Sequence, residues 1–156
     1  MSYYLDIPSP VGWLRVVEGQ AAIVELRMMQ GPMAAPEHGE QRETPLLLEA
    51  KRQLTEYFDG LRTSFSLPLA PSGTAFQQAV WAQLEAIPYG ETRTYGQIAA
   101  ALGKPTASRA VGGANHSNPI AIVIPCHRVI GVNGKLTGYA GGLDIKEKLL
   151  RLEGVL

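Results

Sequence analysis

The chain has 156 residues, room for one domain or two small ones, with the ordinary mix of apolar and charged residues that places it among globular proteins. A single cysteine excludes an intramolecular disulfide, and one cysteine with three scattered histidines argues against a zinc site. The formal net charge is zero, but residues 1–73 carry six Lys/Arg against nine Asp/Glu and residues 74–156 carry eight against five. That asymmetry fits a nucleic-acid footprint in the second half.

The opening MSYYLDIPSP lacks a basic segment followed by a long apolar run, and no later stretch has the length of a membrane span. A cytoplasmic protein with no membrane partner is expected. Residues 3–7, 11–17 and 21–28 read as strands of an antiparallel meander, punctuated by Pro8-Ser9-Pro10 and Gly19. Residues 30–43, rich in Gly, Pro and Glu, read as a loop. Thr44 then caps a helix with Pro45 at its first position and Gly60 beyond its end. Leu47, Ala50, Leu54 and Phe58 supply its core face. The stretch 67–73 is the expected boundary, dividing the chain into domains 1–73 and 74–156.

In the second part, Thr74 with Gln77 and Thr94 with Gln97 have the spacing of capping boxes that open two helices. Phe76, Val80 and Leu84 stripe the first, and the second ends at Gly103. Pro105 opens a further helix from Thr106 to about Ala114, so the last two form a helix-turn-helix. That helix is built of small residues, Ala110 and Gly113 among them, and only Arg109, Asn115 and His116 have the reach for a base edge. Such a surface suits tight packing against neighbouring helices or close approach to a DNA backbone or shallow groove.

Ile120 to Ile124 reads as a buried strand that Pro125 stops, releasing Cys126 into a turn with His127 beside it. A thiol so placed is a candidate nucleophile, and a small buried hydrophobe is the alternative. Residues 128–132 then return to a hairpin turn at Asn133-Gly134, and a glycine-rich loop surrounds Tyr139. Glycines there form turns or let backbone approach a planar ligand. Asp144 caps the last helix, with Ile145, Leu149 and Leu152 inward and Gly154 ending it.

These residues carry a resemblance. RAVGGANHSNPIAIVIPCHRVIG from Arg109, then TGYAGG and KEKLLRLEG, resemble the methylated-DNA–protein-cysteine methyltransferases, the 6-O-alkylguanine-DNA alkyltransferases. The likeness covers roughly residues 74–154 and is most specific at PCHRV. Residues 1–73 share only the meander-plus-helix layout. The resemblance implies an α+β, ribonuclease-H-like N-terminal sheet domain followed by a mainly helical domain with a helix-turn-helix. It implies that Cys126 accepts the alkyl group, while His127 and Glu153 relay the thiol proton through water. Arg109 replaces the extruded base in the stack, Tyr95 crowds the adjacent phosphate, and Asn118 is the hinge between the DNA-reading helix and the active-site segment. Ala110 and Gly113 belong to the DNA-binding set. Val129, Tyr139, Ala140, Gly141 and Asn115 form the substrate-binding set, with Ala140 departing from the serine of some members. The zinc ligands of some members' first domain have no counterpart here, and no cofactor is implied. The expected partner is double-stranded DNA with alkylated guanine, acted on by a monomer.

The chemistry is coherent on its own terms. Displacement at an alkyl carbon calls for a thiolate, and a free thiol with a pKa of about 8.5 needs a base at neutral pH. Histidine supplies one, and a carboxylate steadies its charge. The thioether product has no carbonyl for water to attack, so the reaction stops after one transfer. Two other readings stand beside this one: a binding protein that flags alkylated bases without chemistry, and a cysteine hydrolase using Cys126 and His127.

Overall fold

Alternating apolar residues and two tight reversals generate the first sheet. In the computed structural model, which describes residues 2–29, 34–36, 39–139 and 141–156, β1 (Ser2–Ser9), β2 (Gly12–Gly19) and β3 (Ala22–Met29) form an antiparallel meander. Leu5, Val16 and Leu26 are register partners in one row and Ile7 and Leu14 in the next, all buried. Fully burying side chains of this size contributes roughly 1.5–3 kcal/mol each. The β2–β3 reversal sets Gln20 and Ala21 at φ +51° and +63°, the left-handed geometry a two-residue hairpin needs.

The stretch read as a loop contains a strand. β4 (Glu40–Gln41) pairs in parallel with β1 at Tyr3 and Tyr4, giving the order β3-β2-β1-β4. Arg15 explains part of the order nearby. It is 3% exposed, pairs with Asp6 opposite it, and donates from Nη1 to the Ala34 carbonyl at 2.8 Å. Helix α1 (Pro45–Phe58) starts as its sequence dictates, with Thr44 accepting from the Leu47 amide and Pro45 in the first turn. It packs on β1 and β2 through Leu47, Ala50, Leu54 and Tyr57. Tyr57, not the expected Phe58, takes the inward place. Phe58 is half-buried, edge-on to the Tyr57 ring at 5.3 Å.

The backbone divides into two units, residues 1–71 and 72–156. In the second, both capping boxes close: α2 (Ala75–Glu85) on Thr74 and Gln77, and α3 (Tyr95–Ala101) on Thr94 and Gln97. The buried stripe of α2 is Val80, Trp81 and Leu84, while Phe76 is half-buried, with the Lys104 ammonium 5.3 Å from its ring centre. Helix α4 (Ser108–His116) packs on α2 and α3, and Gly103 at φ +72° ends α3 before the turn between them. α4 starts two residues later than expected, because Ala107 still lies in the turn and donates to the Lys104 carbonyl.

Three expectations near the cysteine need correction. Residues 120–124 are not a strand but a coiled loop, with Ile124 N donating to Ile120 O and Ile122 at φ +71°. The β-branched run reported burial correctly, since Ile120, Ile122 and Ile124 are all inside, but burial does not require extension. The turn at Asn133-Gly134 forms with both residues at positive φ, but no hairpin ladder follows among the described residues. Instead β6 (Val129–Ile130) pairs in parallel with β5 (Arg93–Thr94). Finally, α5 (Leu143–Leu152) takes Gly142 at its cap position, with Asp144 in its first turn. Its buried residues are Ile145, Lys146, Leu149 and Leu150, with Leu152 half-buried. No helix among the described residues is long and apolar enough to cross a membrane.

Candidate active site around Cys126

The loop before the cysteine is held by one side chain. Asn118 accepts from the Ile120 amide at 3.0 Å and donates to the Ile124 carbonyl at 2.8 Å, bracketing residues 120–124 from both ends. The Cys126 amide donates to that same Ile124 carbonyl, and a single turn of 3-10 helix, Cys126–Arg128, begins. This turn sets Cys126 and His127 without the face alternation of a strand.

Cys126 is buried, and burial pushes its thiol above the ordinary range. Hydrogen bonds from the Asn118 and Tyr139 side chains and the charge of Lys146 oppose that rise. The resting state at neutral pH is therefore a protonated thiol. His127 is wholly buried, and burial lowers its pKa against the pull of Glu153, so the ring is a neutral base. Its Nε2 lies 2.6 Å from Glu153 Oε2. That contact makes Nε2 the protonated nitrogen donating to the carboxylate, and leaves Nδ1 with its lone pair. Nδ1 is buried without a hydrogen bond among the described residues.

Two charged residues escaped the sequence reading. Arg128, 6% exposed, donates from Nε to Glu153 Oε1 at 2.8 Å and from Nη2 to Oε2 at 3.1 Å. Its third nitrogen reaches the Ile87 carbonyl at 2.7 Å. Such a fork satisfies a buried carboxylate that would otherwise be expensive. Lys146, wholly buried, donates from Nζ to the Val129 and Thr137 carbonyls. Burial lowers its pKa to about 8. A signal existed for Lys146: positions 146, 149, 150 and 153 share one helical face, so this lysine lies in the apolar stripe that ends at Glu153.

Of the expected substrate residues, Tyr139 hydrogen-bonds to the Cys126 thiol. Val129 is wholly buried, and the β5–β6 pairing ties it to the start of α3. Tyr95 donates to the Thr137 carbonyl at 3.2 Å, sharing that oxygen with Lys146. Tyr139 is buried, and Gly141 lies in the turn closed by Gly142 N on Tyr139 O. Ala140 lies outside the described residues.

On α4, Arg109, Ala110, Gly113 and His116 form one exposed face at i, i+1, i+4 and i+7. A Cβ on Gly113 would meet nothing, and one on Gly112 would come within 3.8 Å of the Tyr95 ring. Asn115 corrects the expectation that it reaches base edges. It points inward, 2% exposed, and donates from Nδ2 to the Cys126 carbonyl at 3.4 Å. Trp81 steadies the same helix by donating from its indole to the Ala114 carbonyl at 2.8 Å.

Comparison with known proteins gives one family for both parts of the chain. Residues 75–155 match the 6-O-methylguanine DNA methyltransferase, DNA binding domain, and residues 2–71 match the ribonuclease-like domain of that enzyme. A methylated-DNA–protein-cysteine methyltransferase of Methanosarcina acetivorans is 53% identical over 97% of this chain and 98% of its own. The constitutive one of Bacillus subtilis is 50% identical over 99% and 97%. Among solved structures, the Mycobacterium tuberculosis O6-methylguanine methyltransferase superposes with a TM-score of 0.89 at 48% identity, covering 98% of this chain and 93% of that one. The OGT of the same organism in complex with DNA gives 0.88 at 48% identity, covering 97% and 92%.

Proposed function

The chain belongs to the 6-O-methylguanine DNA methyltransferase family, and on that premise we propose that Cys126 is its alkyl acceptor. The enzyme is a methylated-DNA–protein-cysteine methyltransferase acting in direct-reversal DNA repair, and DNA is its partner. Its substrate is 6-O-alkylguanine in duplex DNA, with 4-O-alkylthymine a second substrate, taken by a cytoplasmic monomer.

The observation that carries the assignment is the sequence of groups behind the thiol. Cys126 is protonated at rest, His127 is neutral with Nε2 committed to Glu153, and Nδ1 is left as the base. The thiol proton passes through a water to Nδ1 as sulfur attacks the alkyl carbon. The S–C bond forms, the C–O bond breaks, and the electron pair stays on the guanine oxygen. Glu153 steadies the imidazolium, and the Arg128 fork keeps that carboxylate ionised and in place. The departing guanine takes a proton from Tyr95, and solvent afterwards restores the tyrosine and relieves the histidine. The thioether then ends the reaction.

Extrusion of the base falls to α4. Its exposed face of small residues allows backbone-close docking in the minor groove, and Arg109 fills the vacated stack. Val129, Tyr139 and Gly141 take the extruded base. Asn118 couples the end of α4 to the loop that carries Cys126.

Cys126→Ser tests this reading, since a serine hydroxyl is a far weaker nucleophile. The variant is expected to bind alkylated duplex as the parent does and to accept no methyl group. A variant that still transfers overturns the assignment of Cys126.

A further inference from the structure

Two buried side-chain atoms, Asn115 Oδ1 and His127 Nδ1, have no hydrogen bond among the described residues. Buried polar atoms of native proteins are almost always satisfied, by protein or by ordered water. Both atoms belong to groups fixed on the same peptide. Asn115 donates from Nδ2 to the Cys126 carbonyl, which sets Oδ1 as the free end of its amide, and His127 is the next residue. With Nε2 donating to Glu153, both free atoms are acceptors.

One water matches this set. It has two hydrogens for the two acceptors and a lone pair for the Cys126 S–H. We propose that Asn115 Oδ1 is the positioning partner of the relay water, holding one of its hydrogens so that the other points at His127 Nδ1 and its lone pair faces the thiol. The inference rests on the proton relay proposed above and adds a residue to it. In the transfer, the thiol proton moves to the water and a water hydrogen moves to Nδ1, while the hydrogen held by Asn115 stays. The water is therefore regenerated with its orientation kept. Without Asn115 the water turns freely, and its lone pair faces sulfur only part of the time.

The groups that set proton affinity here are Glu153 and Lys146 from α5, Arg128 and Cys126 from the 3-10 turn, and Tyr139 from the loop. From α4 no charged side chain faces inward: the buried residues are Val111, Ala114 and the neutral Asn115, while Arg109 and His116 lie on its exposed face. Asn115→Leu thus removes the acceptor without removing a charge. Asn115→Asp keeps an oxygen there and serves as the rescue variant.

The test is the pH profile of single methyl transfer from free 6-O-methylguanine, which needs no duplex. For Asn115→Leu the rate at neutral pH is expected to fall on the order of a hundredfold and to rejoin the parent rate at alkaline pH, where the thiol ionises unaided. Asn115→Asp is expected to recover part of the neutral rate. A profile parallel to the parent's at every pH means Asn115 acts only in packing and overturns the inference. If the parent itself takes up no methyl group, the proposed function fails instead. A crystal structure of the unaltered protein is the second measurement, independent of how the variants fold. Water within hydrogen-bond reach of Asn115 Oδ1, His127 Nδ1 and Cys126 Sγ supports the inference. Direct contact of His127 Nδ1 with Cys126 Sγ overturns it.

Discussion

His127 Nε2 and Glu153 Oε2 lie 2.6 Å apart with both side chains wholly buried, joining the residue after the cysteine to the end of the last helix. The Glu153 carboxylate takes two further hydrogen bonds from Arg128. One carboxylate thus holds the base and fastens α5 to the turn that carries the thiol.

Removing Arg128 leaves Glu153 charged, buried and without its fork. Arg128→Met is expected to destabilise the fold by about 3–5 kcal/mol, the usual result of breaking a buried pair from one side. Urea unfolding of the variant against the parent measures it. A loss within that of a surface substitution would show that water replaces the guanidinium.

The pH dependence of stability follows from the lowered pKa of His127. Its unfolded value is near 6.5 and burial holds the folded value lower. Between the two, the unfolded chain binds the extra proton, so stability rises with pH. The contribution is complete above about pH 6.5 and is lost as pH falls through the folded value. Unfolding of the parent and of His127→Gln across pH 5–7.5 should show the parent losing its advantage on the acid side. Parallel curves would place the titration elsewhere.

Much of this site was legible because its residues are chemically unambiguous. One cysteine, a histidine beside it and a carboxylate at a helix end can be read from the chain, as can the capping boxes at Thr74 and Thr94. The shape of residues 120–124 was not, because an apolar β-branched run reports burial and not extension. What bends it is the Asn118 side chain, bonded to backbone at both ends of the run. Arg128 and Lys146 were missed because charged residues are expected outside. Their burial is justified only by partners distant in sequence, Glu153 and Ile87 for one, Val129 and Thr137 for the other.

Arg109 is exposed on α4, and its proposed role is to fill the stack that the flipped base leaves. Arg109→Ala is expected to slow transfer from duplex at least tenfold while leaving reaction with free 6-O-methylguanine unchanged. Flipping costs a few kcal/mol, and ~1.4 kcal/mol of lost assistance is already that factor. Rates on both substrates, measured side by side, decide it. Equal losses would remove Arg109 from extrusion.

Cys126 is only 6% exposed, with Tyr139 hydrogen-bonded to its thiol, so alkylation adds a group to a buried site. Overpacking of this kind costs roughly 1–3 kcal/mol, and the hydrogen bonds to sulfur are weakened as well. The methylated protein is expected to melt at a lower temperature than the free thiol and to be cut faster by protease. Calorimetry of both forms checks it. A methylated form of equal or higher stability would contradict this.

A single, irreversible transfer to Cys126 is the reaction expected of this chain. Intact-protein mass after incubation with excess duplex carrying isotopically labelled 6-O-methylguanine, followed by peptide mapping, tests it most directly. One labelled methyl per chain, on the peptide holding Cys126, with restored guanine in the DNA, is the predicted result. Label remaining on the DNA, label on another residue, or more than one turnover per chain would contradict it.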